Sequence, residues 1–214
     1  MGTQTIIDII ASTVVFGSLM LMTLRMNTAQ SEMMQAARAD LMVQQAVVEV
    51  SHLIEYDFRK IGYCRNASQI LNYAIITADS NRIVFRTDVD NNGSVDTMRY
   101  YLGTTAELAE TPNPRDRILY RVINHDTPKG ANLGVTVFDL RYYDQARKLM
   151  PFPITGAALN TIKEIQITVQ VENIIAPALS GNSAFSGYTD PYASQYSGAY
   201  WRQVRLSSRN LSKR

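Results

Sequence analysis

The residues best placed for chemistry lie in Asp88-Val89-Asp90-Asn91-Asn92-Gly93-Ser94-Val95-Asp96. Oxygen-bearing side chains stand at alternate positions and a glycine follows where a loop must bend sharply. A calcium loop opens in this way, with hard carboxylate and amide oxygens for a hard cation. On that reading Asp88, Asp90, Asn92 and Asp96 are the ligands. The bidentate Glu that completes an EF-hand is missing, and Arg99 stands nearby. The other reading is an Asp/Asn/Gly hairpin turn between two strands. Apart from possible Ca2+, no cofactor is expected.

Other chemistry finds few residues. The only histidines are His52 and His125, and Cys64 is the single cysteine. A zinc site lacks ligands and an internal disulfide is impossible; Cys64 reads as a small hydrophobe. No phosphate-cradling glycine loop, nucleophile elbow or His-Glu-x-x-His stands in the chain. Carboxylate pairs such as Glu55 with Asp57 are expected on solvated helix faces. The chain is read as a non-enzyme. With 21 Lys+Arg against 19 Asp+Glu, the net charge is +2. No basic run tracks phosphates, so nucleic acid is not expected as a direct ligand.

The elements that must carry these residues begin with an apolar run. Ile6 to Leu24 contains 13 apolar residues among 19, four Ser/Thr, one Gly and one Asp. That is close to the roughly 20 residues needed to cross a hydrocarbon core. The apolar side chains surround the helix rather than forming a stripe. Asp8 lies near the start of the run, where an acid costs less than at the bilayer centre. It favours the helix dipole or pairs with an amine on a neighbouring subunit.

A second helical pattern continues the first. Ala36, Ala39, Val43, Val47, Val50, Ile54, Phe58 and Ile61 recur at spacings of 3 and 4, one stripe of an amphipathic helix. Gly62 reads as its stop, with Arg59 and Lys60 suited to the negative end. The helix is expected over about Thr3 to Ile61.

After Gly62 the period becomes 2. Ile165, Ile167, Val169 and Val171 alternate with polar residues, as in a half-buried strand. Further strands are expected at Ile70–Thr77, Ile83–Thr87, Thr97–Leu102, Ile118–Ile123, Val135–Tyr143 and Tyr200–Ser207. Val135–Tyr143 is apolar on both registers and reads as a central strand. No helices for parallel crossovers intervene, so the sheet should be antiparallel, with the amphipathic helix across one face. The fold class is α+β. Residues 1–27 form a transmembrane or filament-core helix, 28–62 its amphipathic continuation, and 63–214 an extracytoplasmic β domain. Within that domain, 176–199 is a Ser/Gly/Tyr-rich irregular loop; its Tyr188, Tyr192 and Tyr196, with Tyr200 just after it, recur every four residues.

The layout resembles the type IV pilins and the pseudopilins of type II secretion, most closely the larger minor pilins of the PilW kind and the J-type pseudopilin. The resemblance rests on the helix pair and on its ending, Tyr56-Asp57-Phe58-Arg59-Lys60-Ile61-Gly62-Tyr63-Cys64. It continues in Ile83-Val84-Phe85-Arg86-Thr87-Asp88 with its loop, in Met98–Leu102, in Val137–Asp144 and in Val204–Leu211. Asp8 stands where the family carries a glutamate.

The resemblance implies a structural subunit, held by a single pass in a bacterial inner membrane and assembling through its N-terminal helix. The assembled filament would be periplasmic or on the cell surface. Implied partners are other pilin or pseudopilin subunits, an inner-membrane assembly platform and lipid. Asp8, Gly17 and Arg25 are the assembly candidates, with small residues allowing close helix approach. The alternative is a membrane-anchored extracytoplasmic binding or adhesion domain that does not polymerise.

Overall fold

The structure is a computed structural model and describes residues 2–69, 73–111, 113–172 and 199–212. The class is α+β: one long helix, then antiparallel sheets. Helix α1 spans Gly2–Arg59. By contacts the chain divides into two compact units, Met1–Leu41 and Met42–Arg214.

The first unit is helix alone. Gly17 is its one internal glycine and no proline interrupts it. Hydroxyls that would compete with the backbone turn back on it instead. Ser12 donates to the Ile9 carbonyl at 2.9 Å, Thr13 to Ile10 at 2.9 Å, Ser18 to Val15 at 2.8 Å and Thr23 to Leu19 at 2.8 Å.

In the second unit α1 buries Val43, Val47, Val50, Ile54 and Phe58. The predicted stripe is therefore buried from Val43 onward; Ala36 is exposed. The helix ends at Arg59, two residues earlier than its pattern. Lys60 and Ile61 donate to carbonyls three residues back, Asp57 at 3.1 Å and Phe58 at 3.2 Å. That is the tightened turn with which helices commonly close. Gly62 then takes φ +72, and its N–H leaves the helix for the Arg86 carbonyl at 2.8 Å. Gly62 is the stop that the sequence marked.

The strands are β1 (Ile75–Ala78), β2 (Arg82–Thr87), β3 (Asp96–Leu102), β4 (Leu119–Ile123), β5 (Val135–Tyr143), β6 (Glu164–Val171) and β7 (Tyr200–Leu206); a final turn of helix, α2, spans Arg209–Ser212. All pairings within the sheets are antiparallel. Among the described residues two sheets form instead of the single one expected: β1-β2-β3-β4 and β5-β6-β7. Alternation says which face of a strand is dry, not which neighbour it takes, so the division was invisible in the pattern. One hydrophobic cluster joins the α1 stripe to Ile83, Phe85, Met98 and Tyr100 of the first sheet and to Leu140, Ile165, Ile167 and Val169 of the second. Phe58 sits at its centre, 5.5 Å from the Phe85 ring and 5.6 Å from the Tyr100 ring.

Strand β5 corrects a second expectation. It is an edge strand; β6 is central. Its two apolar registers come from a shift in pairing between Val135 and Val137. The bulge moves the inward phase by one residue, from Val135 to Phe138, Leu140 and Tyr142. Val137 is left exposed. Part of the predicted first strand, 70–72, and the segment 173–198 with Tyr188, Tyr192 and Tyr196 lie outside the described residues. Tyr200 is described, and its hydroxyl accepts from Gln44 Nε2 at 3.0 Å.

Candidate functional site

Three places carry the residues that chemistry would use. The first is the apolar helix of unit 1–41. Over its most apolar 18-residue window the mean hydropathy is 2.0 and none of it is buried by the rest of the chain. By length and composition this helix can cross a membrane. Ile6, Val14, Phe16, Leu19, Met22 and Met26 are each more than half exposed. Asp8 and Arg25 are exposed on the same helix. A side chain at Gly17 would meet nothing within 4 Å, so no contact inside the chain requires glycine there.

The second place is the loop 88–95 between β2 and β3, closed by the pair Thr87 and Asp96. It is a hairpin connection, with Asn91 at φ 60 and Gly93 at φ 90 supplying the left-handed residues a sharp reversal needs. Asp88 is fully buried. Its Oδ1 accepts the Asn92 N–H at 3.1 Å; its Oδ2 accepts those of Arg65 at 3.1 Å and Gly93 at 3.0 Å. Burial alone would raise this carboxyl, yet the backbone donors of Arg65, Gly93, Asn91 and Asn92 hold it below the ordinary carboxylate value. Asp90 accepts the Asn92 N–H at 3.2 Å and its Nδ2 at 2.9 Å. Asp96 accepts the Val89 N–H at 3.1 Å and Asn124 Nδ2 at 2.7 Å.

Asp88, Asp90 and Asp96 each offer an oxygen, all within 4.8 Å of one another. Asn92 stands in the same loop, but its Oδ1 accepts the Ser94 N–H at 2.6 Å. The oxygens a cation would use thus hold the loop's own donors, and Arg65 reaches the Asn91 carbonyl at 3.2 Å. Cys64 also belongs to this loop's surroundings, with Sγ 3.5 Å from the Gly93 carbonyl.

The third place is one the sequence reading put in solvent. Asp57 is buried on α1. Arg121 from β4 grips it with Nε to Oδ2 at 2.6 Å and Nη2 to Oδ1 at 3.2 Å. The Tyr100 hydroxyl from β3 donates to the same Oδ2. Burial, reinforced by the Asp57 charge, pushes the Tyr100 phenol far above its ordinary value, so it remains a donor. Glu55 is part-buried as well, bound by Arg202 of β7 at 3.0 Å. Both acids were expected on a wet face; the second sheet covers Glu55 and the first covers Asp57. The available signal was Asp57's place one residue before Phe58, on the edge of the apolar stripe. With both oxygens of Asp57 engaged, the arrangement is a clamp between helix and sheet.

No family model matches this chain, and no curated protein matches it. Among solved structures, it is similar to a type IV-like pilin from Thermus thermophilus, with a TM-score of 0.39 and 12% identity over 78% of this chain and 97% of that one.

Proposed function

We propose that this protein is a non-enzymatic structural subunit of a type IV pilin-like filament, a minor pilin or pseudopilin. The observation that supports this best is the stretch 6–24 of α1, apolar on all sides of the helix and covered by none of the described residues. Exposed apolar area of that extent is unfavourable in water by about 25 cal/mol per Å2. Lipid removes it before assembly, and the helices of sister subunits remove it afterwards.

In this reading residues 1–27 anchor the chain in an inner membrane and 28–62 continue the helix. Residues 63–214 form the extracytoplasmic β domain. The partners are other pilin or pseudopilin subunits, the assembly platform and lipid. Asp8 pairs with an N-terminal amine of a neighbour, Gly17 lets helices approach, and Arg25 closes the apolar span. The test is electron microscopy of cell-surface filaments with antibody against this chain, comparing wild type with Asp8→Ala. Labelled filaments that lose the mutant chain, while the mutant still enters the membrane, are the expected result. Equal incorporation would remove Asp8 from assembly, and filaments never labelled would leave the non-polymerising anchored domain as the reading.

Calcium at Asp88, Asp90, Asn92 and Asp96 is a separate proposal, favoured by the three converging carboxylates. Calorimetric titration of calcium into the detergent-solubilised chain, alongside Asp90→Ala, is expected to give saturable binding that the variant weakens at least tenfold. No heat in wild type would reduce the loop to a hydrogen-bonded turn.

A further inference from the structure

Where α1 ends, the second unit carries a concave pocket of 550 Å3. Arg59, Lys60 and Arg209 line it, together with the tyrosines Tyr56 and Tyr63. Asn91, Ser207 and Asn210 complete its wall. Among the described residues no carboxylate lines it.

Cations at a helix C-terminus ordinarily serve the exposed carbonyls there. Here other groups do much of that work. Ser208 Oγ donates to the Ile61 carbonyl at 2.9 Å and also lies 3.3 Å from the Arg59 carbonyl. Thr87 Oγ1 takes the Lys60 carbonyl at 2.8 Å, and Asn210 Nδ2 reaches Ile61 at 3.4 Å.

Nor are the cations absorbed by acids. Arg59 has one long contact, 3.8 Å to Glu55, and Glu55 is already held by Arg202 at 3.0 Å. Lys60 Nζ lies 4.3 Å from the centre of the Tyr56 ring and 3.5 Å from the Val89 carbonyl. Arg209 is exposed and forms no ion pair with a described residue. The nearest loop acids are engaged elsewhere, Asp88 by backbone N–H groups and Asp90 by Asn92.

Three weakly partnered cations around one hollow call for more than a single negative charge. A phosphate monoester carries about −1.5 to −2 at pH 7 and accepts several charge-assisted hydrogen bonds. Tyr56 and Tyr63 are partly exposed at the same hollow. Lys60 already lies over the Tyr56 ring, so it is Tyr63 that offers a flat apolar face beside amide and hydroxyl groups, the combination that holds a sugar ring. We propose that this pocket binds a phosphorylated sugar, the phosphate on Arg59, Lys60 and Arg209 and the ring against Tyr63. The pocket's chemistry is independent of whether the N-terminal helix enters a filament.

The test is isothermal titration of the full chain in detergent with four probes: glucose 6-phosphate, inorganic phosphate, glucose and a thymidylate 12-mer. Glucose 6-phosphate is expected to bind tighter than either inorganic phosphate or glucose. Arg209→Ala and Arg59→Ala, both at exposed positions, are expected to weaken it about tenfold each with unchanged melting temperature. Tyr63→Ala should weaken the sugar phosphate and leave inorganic phosphate as it was. Absence of saturable binding, or binding indifferent to both arginine variants, overturns the proposal. Equal affinity for inorganic phosphate and the sugar phosphate overturns the ring contact. Tighter binding of the 12-mer than of the sugar phosphate transfers the pocket to nucleic acid.

Discussion

Asp57 presents the sharpest energetic case at the scale of single residues. A buried carboxylate is tolerated only where its charge and lone pairs are matched. Arg121 supplies two donors and Tyr100 a third. Asp57→Ala strips the partner from Arg121 and leaves the buried Tyr100 hydroxyl without its acceptor. The expected cost is about 3 kcal/mol, read by denaturant unfolding of the full chain in detergent. A loss below about 1 kcal/mol would mean that the group is solvated in the folded protein. Charge and helical position alone placed Asp57 on the wet side. Burial of an acid depends on which strand arrives with an arginine, and Arg121 is 64 residues away. The Asp88 loop was more legible, because Asp/Asn/Gly chemistry is local: residues 88 to 93 bond to one another.

At the scale of elements, the end of α1 combines sequence signal and tertiary contact. Gly62 holds φ +72, and a Cβ built there would lie 2.9 Å from the Ala74 Cβ. Gly62→Ala therefore meets both backbone strain and a clash. It is expected to cost about 2 kcal/mol or more, since the left-handed region alone costs about 1–2 kcal/mol for a residue with a Cβ. A thermal melt unchanged by the substitution would show that the turn relaxes freely. Strand β6 was readable because its burial alternates without a break. Strand β5 was readable as a strand but not as an edge. Its bulge mixes the two phases, and a mixed phase looks the same as a strand buried on both faces.

At the scale of the whole molecule, the two units differ in what they bury. Unit 42–214 buries its own core, with Ile54, Phe58, Phe85, Tyr100 and Leu140 almost wholly enclosed. Residues 6–24 are exposed in the described structure at every position but Gly17, which is half-buried. Deleting residues 1–27 is expected to yield a chain soluble without detergent, with an unchanged cooperative thermal transition, that no longer enters filaments. Aggregation of the truncated chain would place a needed core contact inside the deleted stretch. Normal filament entry would end the proposal that this helix builds the filament core.

The amino-acid order alone determined the long helix, its apolar first part, the place of its stop, the greater part of each of the seven described strands, and the α+β class. Each follows from periodicity, hydropathy or backbone preference within a few residues. The tertiary structure decided that the strands divide into two sheets and that Val135–Tyr143 lies at an edge. It also decided that Asp57 and Glu55 face arginines rather than water, and that Arg59, Lys60 and Arg209 surround one hollow. Those outcomes depend on pairings between residues tens to more than a hundred positions apart, which no local pattern encodes.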